Sequence, residues 1–413
     1  MVKVLHFADA HIDMANYGRH DSETGLPVRV MDYLRSLDEI IHTAISEKVD
    51  LVIFAGDAYK DRSPAPTFQR EWGRRIMQLS RAGIITLLLT GNHDISPATG
   101  RAHAIQEFDT LEVPGVCVLN APQFLSPSDL AGLPVQILAL PWISRSGMVA
   151  KLELENSNPE KIYEKLSHHV SELIDYWLEN ADPELPTILT AHASVEGAMY
   201  GTERMVMLGK DLVLPPALVK DARLDYVALG HIHKPQNINE GNHPPVIYPG
   251  SIERIDFGEV QDRKFFIIAD VVKGATKVNW IELKNIRPFK DIHVKLESED
   301  KINQILLAAM PPQEELDGAI VRLTINYKRE WESLIQENSL RDHAANAFEF
   351  HLVKRPQMQV RARISKEQME ETFSMVDLLD LYWQAVDPDM NDDQKKTLQT
   401  LAKIIIEDVN SSE

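Results

Sequence analysis

The sequence predicts an α/β layered fold with a β-sheet at its centre, and three observations predict it. Short apolar runs alternate with amphipathic segments from residue 1 to about 282. Polar clusters follow five of those runs directly. After Pro288 the texture changes to a second, smaller pattern. Strands alternating with helices of this length are the signature of layered α/β domains.

In chain order, the strand candidates are KVLHFAD, LVIFAGD, ITLLLTG, VQILALPW, TILTAHA, YVALGH, VIYPG, FFIIADV and KVNWIEL. Between the first two, VMDYLRSLDEIIHTAISEKV spaces its apolar residues as a helix does, and 66–82 and 160–180 read likewise. A strand–helix–strand–helix–strand unit is expected over 289–358, with its second helix over 330–348. Residues 365–413 are expected to be helical. Ser365 with Gln368 and Asn391 with Gln394 resemble capped N-termini, and Val376, Leu379, Trp383 and Val386 share one face. The expected division is 1–282, 289–358 and 365–413.

Composition narrows the class. One cysteine, Cys117, excludes a disulfide framework and a thiolate metal site. The start VKVLHFADAH lacks a basic region followed by an apolar core, and the longest apolar runs fall far short of the roughly 18 residues of a membrane span. A cytoplasmic location is expected. The net charge of −19 argues against a nucleic-acid partner at face value. Much of it is local: from Glu367 to Glu413 twelve acidic residues face three basic ones. Carboxylates elsewhere are candidates to be offset by a bound cation.

The five polar clusters are ADAH, AGD, TGNHD, AHAS and GHIH. Each is weak alone, since Gly56–Asp57 has the form of an ordinary turn and His192 that of a half-buried histidine. Together they place Asp9, His11, Asp57, Asn92, His192, His231 and His233 just past predicted strands. In open α/β sheets the crevice beyond the strand C-termini is where ligands bind. Seven side chains exceed the four to six ligands of one divalent ion and divide between two ions sharing a carboxylate. Such a pair suits phosphoryl displacement. Imidazole, carboxylate and amide donors without thiolate favour manganese, iron or zinc.

The ordered set D-x-H, GD, GNHD, a lone His after a strand and GHxH resembles the calcineurin-like metallophosphoesterase superfamily. YPGSIERIDFGE, GDAYKDRSPAP and LGHIHKPQ narrow the likeness to the SbcD-type DNA double-strand-break repair nucleases. The resemblance implies a β-sandwich core flanked by helices, a small α+β capping domain that orients DNA, and a C-terminal helical segment that binds an SMC-like coiled-coil ATPase of the SbcC type. It implies Asp9, His11 and His233 at a first ion, Asn92, His192 and His231 at a second, and Asp57 bridging both. Manganese is the expected ion. His93 would face the scissile phosphate, and a water between the ions would replace any serine or cysteine nucleophile. The helices near 66–82 and 98–111 resemble a dimer-forming pair.

Two positions depart from that pattern. Lys60 stands where relatives commonly carry a histidine or an acidic residue, and Ile12–Asp13 replaces Leu-Gly. Both leave the preferred DNA end open. Lys60 and Arg62 are candidates for phosphate contact, as is the run Lys354, Arg355, Arg361, Arg363 and Lys366. The function expected is a metal-dependent DNA exonuclease, with endonuclease activity, in an SbcCD-type complex. The alternatives are a small-molecule or cyclic-nucleotide phosphodiesterase and a non-catalytic scaffold of the same fold.

Overall fold

A computed structural model describes residues 1–16, 19–95, 102–143, 159–201 and 213–357, and, beyond these, 379, 383 and 394–402. Two compact units emerge: Met1–Asp291 with Asp317–Ile320 and Ala347–Glu349, and Ile292–Leu316 with Val321–Asn346 and Phe350–Glu413.

The first unit runs β1 (Val2–Phe7), α1 (Val28–Ser46), β2 (Leu51–Phe54), α2 (Pro66–Arg81), β3 (Ile85–Leu89), α3 (Glu107–Thr110), β4 (Val116–Leu119), β5 (Gln123–Leu125) and β6 (Gln136–Leu140). It continues through α4 (Pro159–Asn180), β7 (Thr187–His192), the short β8 (Ser194–Val195) and β9 (Val213–Leu214), and α5 (Pro216–Val219). Then follow β10 (Tyr226–Gly230), β11 (Gln236–Asn237), β12 (Val246–Tyr248), β13 (Phe265–Val271) and β14 (Lys277–Glu282).

Two six-stranded sheets result, ordered β14-β13-β1-β2-β3-β4 and β11-β12-β10-β7-β6-β5. Within them β1, β2, β3 and β4 are mutually parallel, as are β6, β7, β10 and β12. The two-residue period of the strands decides the layering. Ile53, Leu87, Ile137, Ile188 and Ala228 point into one core that both sheets share. Their neighbours Phe54 and Leu88 turn outward to Val30, Leu37 and Ile41 of α1 and to Trp72 and Ile76 of α2. On the other sheet Leu138, Leu189 and Val227 turn outward to Leu166, Val170 and Ile174 of α4. The unit is a β-sandwich flanked by helices, the fold expected from the sequence. Because the central strands are parallel, their C-termini lie along one edge.

The second unit holds the greater part of a three-stranded sheet, β15 (Phe289–Lys295), β16 (Ile320–Lys328) and β17 (Glu349–Gln357), in that order. With it come α6 (Ile302–Ala309), α7 (Gln313–Leu316) and α8 (Glu337–His343). The single helix expected over 330–348 is instead a 3-10 turn, Arg329–Leu334, followed by α8. Ile335 between them is extended, with φ −79° and ψ 112°. Trp331 and Ile335 are both buried, and Asn303 Oδ1 takes the Gln336 backbone N–H at 2.8 Å. Those anchors override helical periodicity. Over 98–111, the helix among the described residues is only α3. The N-caps expected at Ser365 and Asn391 lie outside the described residues, as do Val376 and Val386. Of the helical tail, 394–402 is described as helix.

Candidate metal centre

The shared strand edge gathers all seven predicted side chains. Asp9 and His11 follow β1, Asp57 follows β2, Asn92 follows β3, His192 ends β7, and His231 and His233 follow β10. The loops that carry them are strained: Asp9, His11, Asp57 and His231 all have positive φ, at 50°, 40°, 65° and 97°. Non-glycine residues hold that conformation only where surrounding bonds over-determine it. Here Asp9 N donates to Gly56 O, Ala10 N to Asp57 O and Ile12 N to Ala58 O, at 2.9–3.1 Å. The first loop is thereby zipped onto the second.

Across the sandwich, His192 Nδ1 donates to Ala55 O at 2.7 Å, and His231 N donates to both Asp9 carboxylate oxygens at 3.1 Å. Approach is so close at Gly230 that a Cβ there would lie 2.0 Å from Ala55 O, and one on Gly91 would lie 2.1 Å from Asp57 Oδ1. Only glycine fits either place. Ile232, between the two histidines, is fully buried in the α4-side core. His231 and His233 on either side of it turn instead to Asn92 Oδ1 and the Glu259 carboxylate.

Distances divide the donors into two overlapping groups. Ligand atoms of Asp9, His11 and His233 all lie within 4.8 Å of one another, and so do those of Asp9, Asp57 and His192. Asn92 Oδ1 sits 3.0 Å from His192 Nε2 and 3.0 Å from His231 Nδ1. Asp9 is common to both groups, and Asp57 Oδ2 of the second stands 3.4 Å from His192 Nε2 and 3.9 Å from His11 Nε2 of the first.

The hydrogen-bond partners suit a cation. Burial pulls the His11 imidazole well below its usual pKa, so the ring is neutral. Its Nδ1 donates to Tyr59 O at 3.2 Å, leaving a lone pair on Nε2. His233 directs Nδ1 to the Glu259 carboxylate at 3.2 Å. Its Nε2 then lies 3.3 Å from His11 Nε2. Facing lone pairs repel unless a cation or a proton lies between them. Carbonyl and carboxylate acceptors behind ligand histidines are also the usual means of fixing a metal-binding tautomer.

Electrostatics agree. Burial pushes the Asp9 carboxyl up. For Asp57 burial acts the same way, but His192 holds it well below the carboxylate range. Burial lowers His192 in turn, yet the Asp57 carboxylate pushes it up to about 9. Buried carboxylates of this kind need positive charge, from protons or from metal. By contrast His6, also wholly buried, is pulled down to about 3 by burial and is satisfied by Tyr226 Oη and Leu229 O. It is a core histidine.

His93 adjoins the groups. Its backbone N–H donates to Asp57 Oδ1 at 2.8 Å, and its ring lies edge-on to His11, centroids 5.2 Å apart. Lys60 and Arg62 line a groove with it. Lys354, the one lysine of the candidate basic run among the described residues, pairs with Glu332 and Glu337 at 3.0 and 2.9 Å. Arg361, Arg363 and Lys366 lie outside the described residues.

Three supporting residues escaped the sequence reading. Buried Asp94 accepts the backbone N–H groups of Asp57, Ala58 and Gly91 at 2.8–3.0 Å, tying the loops after β2 and β3 together. Its signal was present in GNHD, as a carboxylate at the same strand tip. Glu259, braced by Lys264 at 2.7 Å, gave no sequence signal of its contact with His233. Neither did Trp142, whose ring lies 5.0 Å from that of His231.

The family model described as calcineurin-like phosphoesterase matches residues 2–235, which hold every one of these donors. The chain is a calcineurin-like phosphoesterase. This metal-dependent family accounts for the convergent donors of the two groups. The phosphoesterase is 25% identical over 346 residues to the SbcD subunit of the nuclease SbcCD of Escherichia coli, covering 81% of this chain and 76% of the relative. It is 23% identical over 289 residues to the DNA double-strand break repair protein Mre11 of Archaeoglobus fulgidus, covering 70% and 58%. The uncharacterized metallophosphoesterase YhaO of Bacillus subtilis is 24% identical over 272 residues, covering 64% and 56%. Among the described residues, no helix is long and apolar enough to cross a membrane.

Proposed function

We propose that this phosphoesterase is the DNA nuclease subunit of an SbcCD-type repair complex, an exonuclease and endonuclease working with two manganese ions. The observation that carries the reading is the convergence of Asp9, His11, Asp57, His192 and His233 in two overlapping groups, with Asn92 joining His192 to His231 beside them, in a chain similar to a nuclease subunit over 81% of its length. Asp9, His11 and His233 would hold one ion, Asn92, His192 and His231 the other, and Asp57 both. Such a pair, when bound, neutralises charge on the scissile phosphate and acidifies the attacking water.

The protein's own part is positional. Asp94 and the zipped loops hold Asp57 at the centre, and the acceptors behind His11, His192 and His233 fix their tautomers. His93, held to Asp57 but outside the ligand set, faces the phosphate, where it protonates the leaving oxygen or stabilises the charge developing on it. The unit carrying α6 and α8 orients the DNA, residues 365–413 bind the coiled-coil ATPase, and α2 contributes to a homodimer.

The deciding experiment compares manganese-dependent degradation of linear single- and double-stranded DNA with hydrolysis of cyclic nucleotides, with and without the ATPase. DNA degradation that the ATPase stimulates is expected. Hydrolysis confined to cyclic nucleotides would overturn the reading.

A further inference from the structure

Outside the ligand set, two cations stand open beside His93. Lys60 and Arg62 line a groove of about 810 Å³ together with Asp13, Phe68 and His93. Among the described residues neither cation pairs with a carboxylate. On α2, by contrast, Arg70, Arg74 and Arg75 are all bound to Glu71. In a chain of net charge −19, unpaired cations at the mouth of a buried acidic cluster point to an anion from outside.

Lys60 is fixed from two sides. The Asp13 carboxylate accepts the backbone N–H of both Lys60 and Asp61. The Lys60 carbonyl accepts His93 Nδ1–H at 2.8 Å, which turns His93 Nε2 toward Lys60 Nζ at 3.5 Å. His93 is itself held to Asp57. One short chain of contacts thus places the ammonium at the rim of the metal centre.

We propose that Lys60 is a phosphate-binding catalytic residue whose ammonium, at the rim beside His93, grips a non-bridging oxygen of the phosphodiester being cut. Lys60 makes and breaks no covalent bond; it supplies a fixed charge and N–H donors. Arg62, two residues on along the same groove, then meets a neighbouring phosphate. The groove therefore suits a polyanionic strand better than a single small diester. The inference rests on the phosphodiester-hydrolase reading above.

The test measures kcat and KM for wild type, Lys60→Met and Lys60→Arg, with manganese, on bis(p-nitrophenyl) phosphate and on a labelled oligonucleotide. Metal content is measured in each protein. Lys60→Met is expected to keep wild-type metal and to lose about ten- to a hundredfold in kcat/KM on both substrates, the scale of one charge-assisted hydrogen bond. Lys60→Arg should recover most of that loss. Lys60→Met activity within twofold of wild type, or loss of its metal, would overturn the proposal. Wild-type hydrolysis of the small diester without any cleavage of the oligonucleotide would instead sink the nuclease reading and the strand-groove extension. The role of Lys60 would still be read on the small substrate.

Discussion

At the residue scale, roles divide by what each side chain touches. His93 contacts the centre without belonging to either donor group. His93→Ala should therefore keep its metal while cleavage falls by about a hundredfold or more, the span of a lost general acid. Asp57 belongs to one group and lies 3.9 Å from His11 of the other, and Asp57→Ala should lose metal as well as activity. Elemental analysis beside a nuclease assay reads both, and full activity in the His93 variant would remove its role. A pH dependence follows from His192. Without metal it keeps its proton up to about pH 9, because the Asp57 carboxylate favours the charged ring. Metal must displace that proton, so apparent affinity should rise with pH, by about tenfold per unit for one proton, until the pKa is passed. Manganese titrations between pH 6 and 8.5 would show it. A flat profile would mean that His192 gives up no proton when metal binds.

At the element scale, the site depends on how closely β2 of one sheet approaches β10 of the other. Gly230 is the point of contact, with room for no Cβ against Ala55 O. Gly230→Ala should force the two strand tips apart. The expected cost is about 1–3 kcal/mol of stability, typical of overpacking a tight interior, together with weakened metal binding as His231 and His192 move from Asp9 and Asp57. Denaturant unfolding, with and without manganese, measures both. An unchanged midpoint and affinity would mean that the loops absorb the methyl. The broken helix before α8 gives a complementary lesson, because buried Trp331 and Ile335 outweigh the periodicity around them.

At the scale of the whole molecule, chemistry and assembly are proposed to occupy different stretches of chain. All the candidate metal donors lie between Asp9 and His233, far in sequence from the acidic tail. Deleting residues 365–413 should abolish capture of the coiled-coil ATPase and leave metal-dependent hydrolysis of a simple phosphodiester intact. If capture survives, the tail is not the docking segment.

The sequence by itself marked the longer strands and the seven candidate donors, because each donor stands immediately past an apolar run and needs no distant partner to be noticed, whereas the short strands β4, β5, β8, β9 and β11 did not stand out. It also pointed to one shared site beyond the strand ends, while the parallel pairing that brings those ends to one edge came from the fold. Only the tertiary structure decided what holds the donors in place. Asp94 reaches the backbone of Asp57 and Ala58 from 36–37 residues away. Glu259 meets His233 from 26 residues away, and Ala55 O receives His192 from 137. Such contacts leave no periodic trace, since a single hydrogen bond constrains position in space and imposes no spacing along the chain. The same holds for Lys60, a lone charged loop residue in sequence, and a partner of His93 at the mouth of the centre once the chain has folded.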